Sequence, residues 1–142
     1  MDTAAVPPCV FCEVVAGVRQ AEIVLSDPVA VAFLDHRPVF KGHVLVVTRR
    51  HLATLADFEV AELGPFFERV QRLAVAVQAA LGADGSFVAM NNVVSQSVTH
   101  FHVHIVPRRR KDGLRGFFWP RTRYESATEM AAVAARIRAA LT

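Results

Sequence analysis

The sequence predicts an α+β fold, a mostly antiparallel five-stranded sheet with one long helix and a C-terminal helix. Three observations carry that expectation. Residues 23–34 read as a hairpin, residues 57–81 space their apolar side chains as a half-buried helix does, and residues 100–106 alternate histidine with apolar side chains.

Val10 to Ala16 is a short apolar-polar stretch ended by Gly17, read as about two turns of helix with Cys12 near the start. Ile23-Val24-Leu25, the turn residues Asp27-Pro28 and then Val29 to Leu34 form the hairpin, and the Val-rich run Gly42 to Thr48 is a third strand. Leu63, Phe66, Phe67, Val70, Leu73, Ala74 and Val77 mark the buried stripe of the long helix, whose first turns Pro65 can kink. Gly82-Ala83-Asp84-Gly85 stops that helix, Ser86 to Asn91 returns to strand, and a polar loop from Asn91 to Gln96 leads to the strand His100 to Val106, which Pro107 is expected to end. Ser126 with Glu129 makes a capping box for a final helix running to Leu141.

A chain of 142 residues fits one domain, and we expect residues 1–142 to form it, with a core over about 9–108 and a basic C-terminal extension over 109–142. Hydrophobic residues make up 53% of the sequence, yet runs such as Val44-Leu45-Val46-Val47 are far too short to span a bilayer. The start lacks the basic and apolar regions of a signal peptide before Pro7, so a cytoplasmic location without membrane contact is the expectation. A net charge of +3 suits an anionic ligand without saying which. Cys9 and Cys12, three apart, argue in a reducing compartment for metal binding or thiol chemistry over a structural disulfide.

Side chains on a strand alternate, so His100, His102 and His104 share one face and Phe101, Val103 and Ile105 the other. The three imidazoles span roughly 13 Å, so two can share a metal ion but three on one straight strand cannot readily do so. Setting three titratable rings side by side is costly unless something anionic or metallic binds them.

The run Gln96-Ser97-Val98-Thr99-His100-Phe101-His102-Val103-His104-Ile105-Val106-Pro107-Arg108 resembles the signature of the histidine triad family. The likeness extends to Ala32-Phe33-Leu34-Asp35, to Lys41-Gly42-His43-Val44-Leu45-Val46-Val47 and to His51, covering roughly residues 9 to 108. It implies the histidine triad fold, a homodimer, and a hydrolase or transferase acting at the α-phosphorus of a purine nucleotide or nucleotide conjugate. By position, His102 falls on the nucleophile that forms a nucleotidyl-histidine, its other ring nitrogen donating to backbone carbonyl near His100. His104 then faces the phosphate oxygens. Ser97 and Gln96 match the polar pair beside the scissile bridge, and Asp35 matches the carboxylate that takes the ribose hydroxyls. Phe11, Val14, Phe33, Leu34 and His36 would line the base pocket. The family usually carries a glycine-containing loop before its glutamine, whereas Asn91-Asn92-Val93-Val94-Ser95 is shorter and has none; Asn92, or its neighbour Asn91, is expected to contact phosphate or ribose.

A Cys-x-x-Cys pair is half a tetrahedral shell, for which His51 and His100 are the candidate partners. The resemblance implies structural zinc on Cys9, Cys12, His51 and His100; a redox pair and two unrelated buried thiols are the alternatives. His43 is expected to be structural. The stretch Arg108-Arg109-Arg110-Lys111 with Arg115, Phe117, Phe118, Trp119, Arg121, Arg123 and Tyr124 reads first as a solvated face, then as a substrate contact, and only last as a nucleic-acid site. Two rival functions stand beside nucleotidyl transfer. One is a zinc-dependent hydrolase using His-x-His ligands, and the other a non-catalytic nucleotide or nucleic-acid-binding module.

Overall fold

The structure, a computed structural model, describes residues 9–115 and 120–141. The expectations for the N-terminal residues 1–8 and for Phe117, Phe118 and Trp119 lie outside the described residues. The chain divides into two compact units, one ending at Asp112 and one beginning at Gly113.

The first unit opens with helix α1 (Val10–Ala16), capped at its start by the Cys9 thiol and ending at Gly17. Strands β1 (Ile23–Ser26) and β2 (Ala30–Leu34) form the expected hairpin. Its turn is held by Asp27, whose Oδ1 accepts from the Val29 and Ala30 amides at 2.8 and 3.0 Å, while Oδ2 accepts from Arg69 Nε at 2.9 Å. Strand β3 (Val44–Thr48) follows, then a 3-10 turn over Leu55–Asp57 and helix α2 (Val60–Leu81). The long helix begins later than its periodicity suggested, because Asp57 caps the preceding turn through the Thr54 amide and a Glu59/Glu62 capping box starts α2 anew. It runs unbroken through Pro65 to Leu81.

Strands β4 (Gly85–Ala89) and β5 (His102–Arg108) complete an antiparallel sheet of order β1-β2-β3-β5-β4. The second unit carries helix α3 (Ala127–Ala140), its amide end closed by the Ser126 hydroxyl accepting from the Glu129 amide at 3.1 Å. The α+β fold read from the sequence is thus the observed one. No helix among the described residues is long and apolar enough to cross a membrane.

Two expectations for the histidine strand need correction. Pairing of β5 with β3 starts at His102, opposite Val47, so His100 and Phe101 precede the strand; the Phe101 amide instead donates to Leu52 O at 2.6 Å. Pro107 does not end β5 but lies within it, opposite Ser86 of β4 and beyond the stretch that pairs with β3. A missing N–H is tolerated there because no β3 carbonyl is waiting for it.

The sheet separates two apolar layers. Val44, Val46, Phe101, Val103 and Ile105 pack with Phe66, Val70, Leu73 and Val77 of α2, whereas Phe11 and Val14 of α1 pack with Val31, Phe33, Leu45 and Val47. Alternation therefore puts His102 and His104, the register partners of Val47 and Leu45, on the α1 side. Gly42, at φ 99°, leads into β3 where a Cβ would stand 2.0 Å from Leu81 Cδ1. Gly42→Ala is expected to destabilise the unit by about 2–3 kcal/mol, summing a left-handed backbone and a displaced leucine, read as a lower midpoint in urea with unchanged slope.

Candidate active site and metal centre

The histidine row is built by backbone groups that can play only one hydrogen-bonding part, and these fix each ring's tautomer. His102 Nδ1 lies 2.8 Å from the carbonyl of His100, which can only accept, so Nδ1 carries the proton and Nε2 keeps a free lone pair. His43 Nδ1 accepts from the Val39 amide at 3.2 Å, which leaves its proton on Nε2, 3.0 Å from His104 Nδ1. A neutral His104 then presents Nε2–H outward. Neighbouring rings on one face thus have opposite polarity, an electron pair on His102 and a proton on His104, with their centroids 5.0 Å apart.

Burial, with the nearby His102 and His43, pushes the His104 imidazole down to about 4. Burial also lowers His43, against the pull of Asp35. A histidine whose folded value is depressed stays neutral while the unfolded chain takes up its proton, so the stability it supports is full above pH 6.5 and drains away as pH falls toward 4. One such group is expected to tilt stability by up to ~1.4 kcal/mol per pH unit across that window. Urea midpoints of wild type and His104→Gln measured from pH 7 to 4 check this; the variant's curve should be the flatter.

The residues singled out from the sequence are brought together unevenly. Phe11 stands edge-on to His102 at 5.0 Å and to Phe33 at 5.5 Å, and Val14 is buried in the same layer. Asp35 lies beyond His104: its Oδ1 accepts from the Arg37 amide at 2.9 Å, and Oδ2 is 3.7 Å from His43 Nδ1. Leu34 is not on this face, since it pairs with Val44, which faces α2. The His36 side chain is 90% exposed beside Asp35.

At the other end, Ser97 is exposed, and its hydroxyl has no partner among the described residues. The amides around it are committed inward. Asn92 Oδ1 accepts from the Leu55 amide at 2.8 Å, Gln96 Oε1 from the Val93 amide at 3.1 Å, Gln96 Nε2 donates to Ala53 O, and Asn91 Nδ2 donates to Ser95 O at 3.2 Å. They brace the loop on residues 53–55. His43, read from the sequence as structural, lies within the histidine row; its parity with Leu45 and Val47 was the signal.

Behind the row, Cys9, Cys12, His51 and His100 each offer an atom within 4.8 Å of the others. Both thiols are 3.5 Å from His100 Nδ1, and Cys12 Sγ is 3.2 Å from His51 Nδ1. A tetrahedral ion with bonds of about 2.3 Å to sulfur and 2.05 Å to nitrogen spaces such ligands ~3.5 Å apart. The donor set fits zinc in kind and spacing. His100 is fully buried, and its Nε2 donates to Thr48 O at 2.7 Å, which leaves Nδ1 as the ligating nitrogen.

The antiparallel sheet thus presents paired histidines of opposite polarity beside a carboxylate. The chain belongs to the HIT domain family, which it matches over residues 16–111. An adenosine 5'-monophosphoramidase of Schizosaccharomyces pombe is 35% identical to it over 79% of this chain and 83% of that protein. The crystal structure of a HIT family member from Bacillus subtilis superposes with a TM-score of 0.85 at 29% identity, covering 94% of this chain and 97% of the other. A Zn-bound histidine triad family protein from Mycobacterium smegmatis gives a TM-score of 0.71 at 34% identity, covering 94% and 97%.

Proposed function

We propose that this chain is a nucleotidyl hydrolase or transferase that cleaves the bond between the α-phosphorus and its leaving group in purine nucleoside phosphoramidates or dinucleoside polyphosphates. The observation that carries the reading is the 2.8 Å contact from His102 Nδ1 to His100 O, which holds Nε2 as a free base on an otherwise apolar, buried ring. Nε2 of His102 attacks the phosphorus, the bond to the leaving group breaks with its electron pair, and the departing nitrogen or oxygen takes a proton. Water then displaces His102 from phosphorus and restores the ring. His104 Nε2–H donates to a phosphate oxygen as charge gathers there, and Asp35 Oδ2 takes the ribose hydroxyls. Ser97 serves the leaving group, while Asn92 and Gln96 hold the loop that carries it. Phe11, Val14 and Phe33 form the wall against which the base lies.

Cys9, Cys12, His51 and His100 would hold zinc, whose contribution is structural: a fixed His100 keeps its carbonyl in place for His102. The working form is proposed to be a cytoplasmic homodimer.

One observation favours a second reading, a metal-dependent hydrolase: Asp35, His43 and His104 also offer atoms within 4.8 Å of one another. The Val39 amide on His43 Nδ1 and the direct His43–His104 contact argue against it, since both lone pairs are already used. Intact-mass measurement after rapid quenching with an adenosine phosphoramidate separates the two. An adduct of nucleotide mass, absent from His102→Ala, supports nucleotidyl transfer; turnover without adduct that stops on chelation supports the metal reading.

A further inference from the structure

We propose that Cys9 and Cys12 are a site of reversible oxidation, at which a hydroperoxide closes the two thiols into a disulfide, expels the metal and lowers turnover through His100. The inference rests on the zinc reading and adds to it a second chemistry of the same two sulfurs.

The geometry favours closure within the chain. Cys9 caps α1 and Cys12 stands in its first turn, with the Glu13 amide donating to Cys9 O at 3.0 Å. One helical turn sets their Cα atoms about 5 Å apart, inside the roughly 4.4–6.8 Å that a disulfide spans. The sulfurs already converge: each is 3.5 Å from His100 Nδ1, and Cys9 Sγ accepts from the Cys12 amide at 3.4 Å. The ligand atoms of the cluster all lie within 4.8 Å of one another, so rotation of two side chains brings the sulfurs to a bond of about 2.05 Å. Phe11 and Val14, which pack α1 on the sheet, need not move.

Access and pairing are equally favourable. Both thiols are free and only half-buried, and the His51 ring, 3.2 Å from Cys12 Sγ, is exposed, so a small oxidant reaches the sulfurs from solvent. The sequence holds no third cysteine to compete for the bond.

One sulfur attacks the peroxide and keeps one oxygen as a sulfenic acid, while the other oxygen leaves as water. The second sulfur then displaces that oxygen, again as water, and the S–S bond forms. Starting from the metal-loaded site, two thiolates, one hydrogen peroxide and two protons from solvent give one disulfide, two waters and free Zn2+. A disulfide sulfur is no longer a thiolate ligand, which leaves only two imidazoles, one of them the exposed His51, to hold the ion. His100 then keeps Thr48 O on Nε2–H but loses what held Nδ1, and the carbonyl that receives His102 Nδ1–H is loosened. Oxidation is therefore expected to lower kcat by about 10- to 100-fold.

The test treats the zinc-loaded full chain with hydrogen peroxide and follows intact mass, free zinc with a chromogenic chelator, alkylation of the remaining thiols, and kcat. Expected are a mass loss of two hydrogens, one zinc freed per chain, loss of both alkylation sites and a fall in kcat on one time course, all reversed by dithiothreitol followed by zinc. Cys12→Ser and Cys9→Ser, each with a single sulfur, are expected to gain oxygen and never to lose the two hydrogens.

Sulfinic or sulfonic products on the wild-type cysteines without loss of two hydrogens overturn the proposal, and so does a disulfide joining two chains. Zinc retained with both thiols intact, under peroxide that has already converted the 52% exposed Met130 to its sulfoxide, overturns it too. If the chain takes up no zinc before peroxide is added, the metal reading fails and carries this one with it; zinc taken up and not released sinks the oxidation site alone.

Discussion

His102→Ala is expected to lower kcat on an adenosine phosphoramidate by about ten-thousandfold or more while lowering the thermal midpoint by only about 6 °C. The size follows from the role. A nucleophile that carries the covalent intermediate has no substitute in its own site, and removing such a residue costs about as much as removing the whole catalytic set it works with. The modest loss of stability follows from the surroundings. The ring is buried, but among the described residues its polar contact is a single hydrogen bond to His100 O, whose loss costs roughly 1 kcal/mol. The cavity left against Phe11 adds a term of similar size. His102→Gln refines the result: it refills part of the cavity and can still donate to the His100 carbonyl, yet has no second nitrogen of the required basicity. Restored stability without restored turnover is the expected outcome. Activity retained in either variant beyond a hundredth of wild type would place the nucleophile elsewhere.

How far the site is legible in the sequence depends on what holds each residue. The faces of the sheet follow from alternation alone, and alternation extends past the paired strand, so His100 points to the same side as His102 although β5 has not yet begun. Where the strand starts is different: it depends on Leu52 O meeting the Phe101 amide, two residues far apart in the chain that carry no local mark of pairing. Leu34 shows the reverse error. It adjoins Phe33 and Asp35 in sequence, but its pairing with Val44 turns it to the α2 side. Tautomers are the least legible feature. They are set by backbone groups of Val39, Thr48 and His100, and backbone groups are the same in every sequence. The bearing of His43 on the row is hidden in the sequence for this reason, because it follows from the Val39 amide leaving the proton on Nε2, toward His104.

Stripping zinc with a chelator, or replacing Cys12 by serine, is expected to lower the thermal midpoint by about 10 °C and kcat by 10- to 100-fold. A ligand present at a thousand times its dissociation constant stabilises by ~4 kcal/mol, and each kcal/mol moves a domain of this size by roughly 3 °C. The effect on turnover is indirect. His100 joins the two sites, its Nδ1 facing the thiols, its Nε2–H bound to Thr48 O, and its carbonyl receiving His102 Nδ1–H. Loosening the first contact frees the ring to turn, and the carbonyl that fixes the tautomer of His102 loses its anchor. Protons supply an independent readout. Burial and the neighbouring Cys9 push the Cys12 thiol up to about 11, so without metal it is protonated at neutral pH, and loading zinc must expel that proton. Zinc uptake by the stripped protein in weak buffer should therefore acidify the solution, and uptake should weaken steeply as pH falls. Cys12→Ser should release fewer protons and bind more loosely. If the stripped protein keeps its midpoint and its turnover, the four residues are not a metal centre, and the link from the thiols through His100 to the nucleophile falls with it.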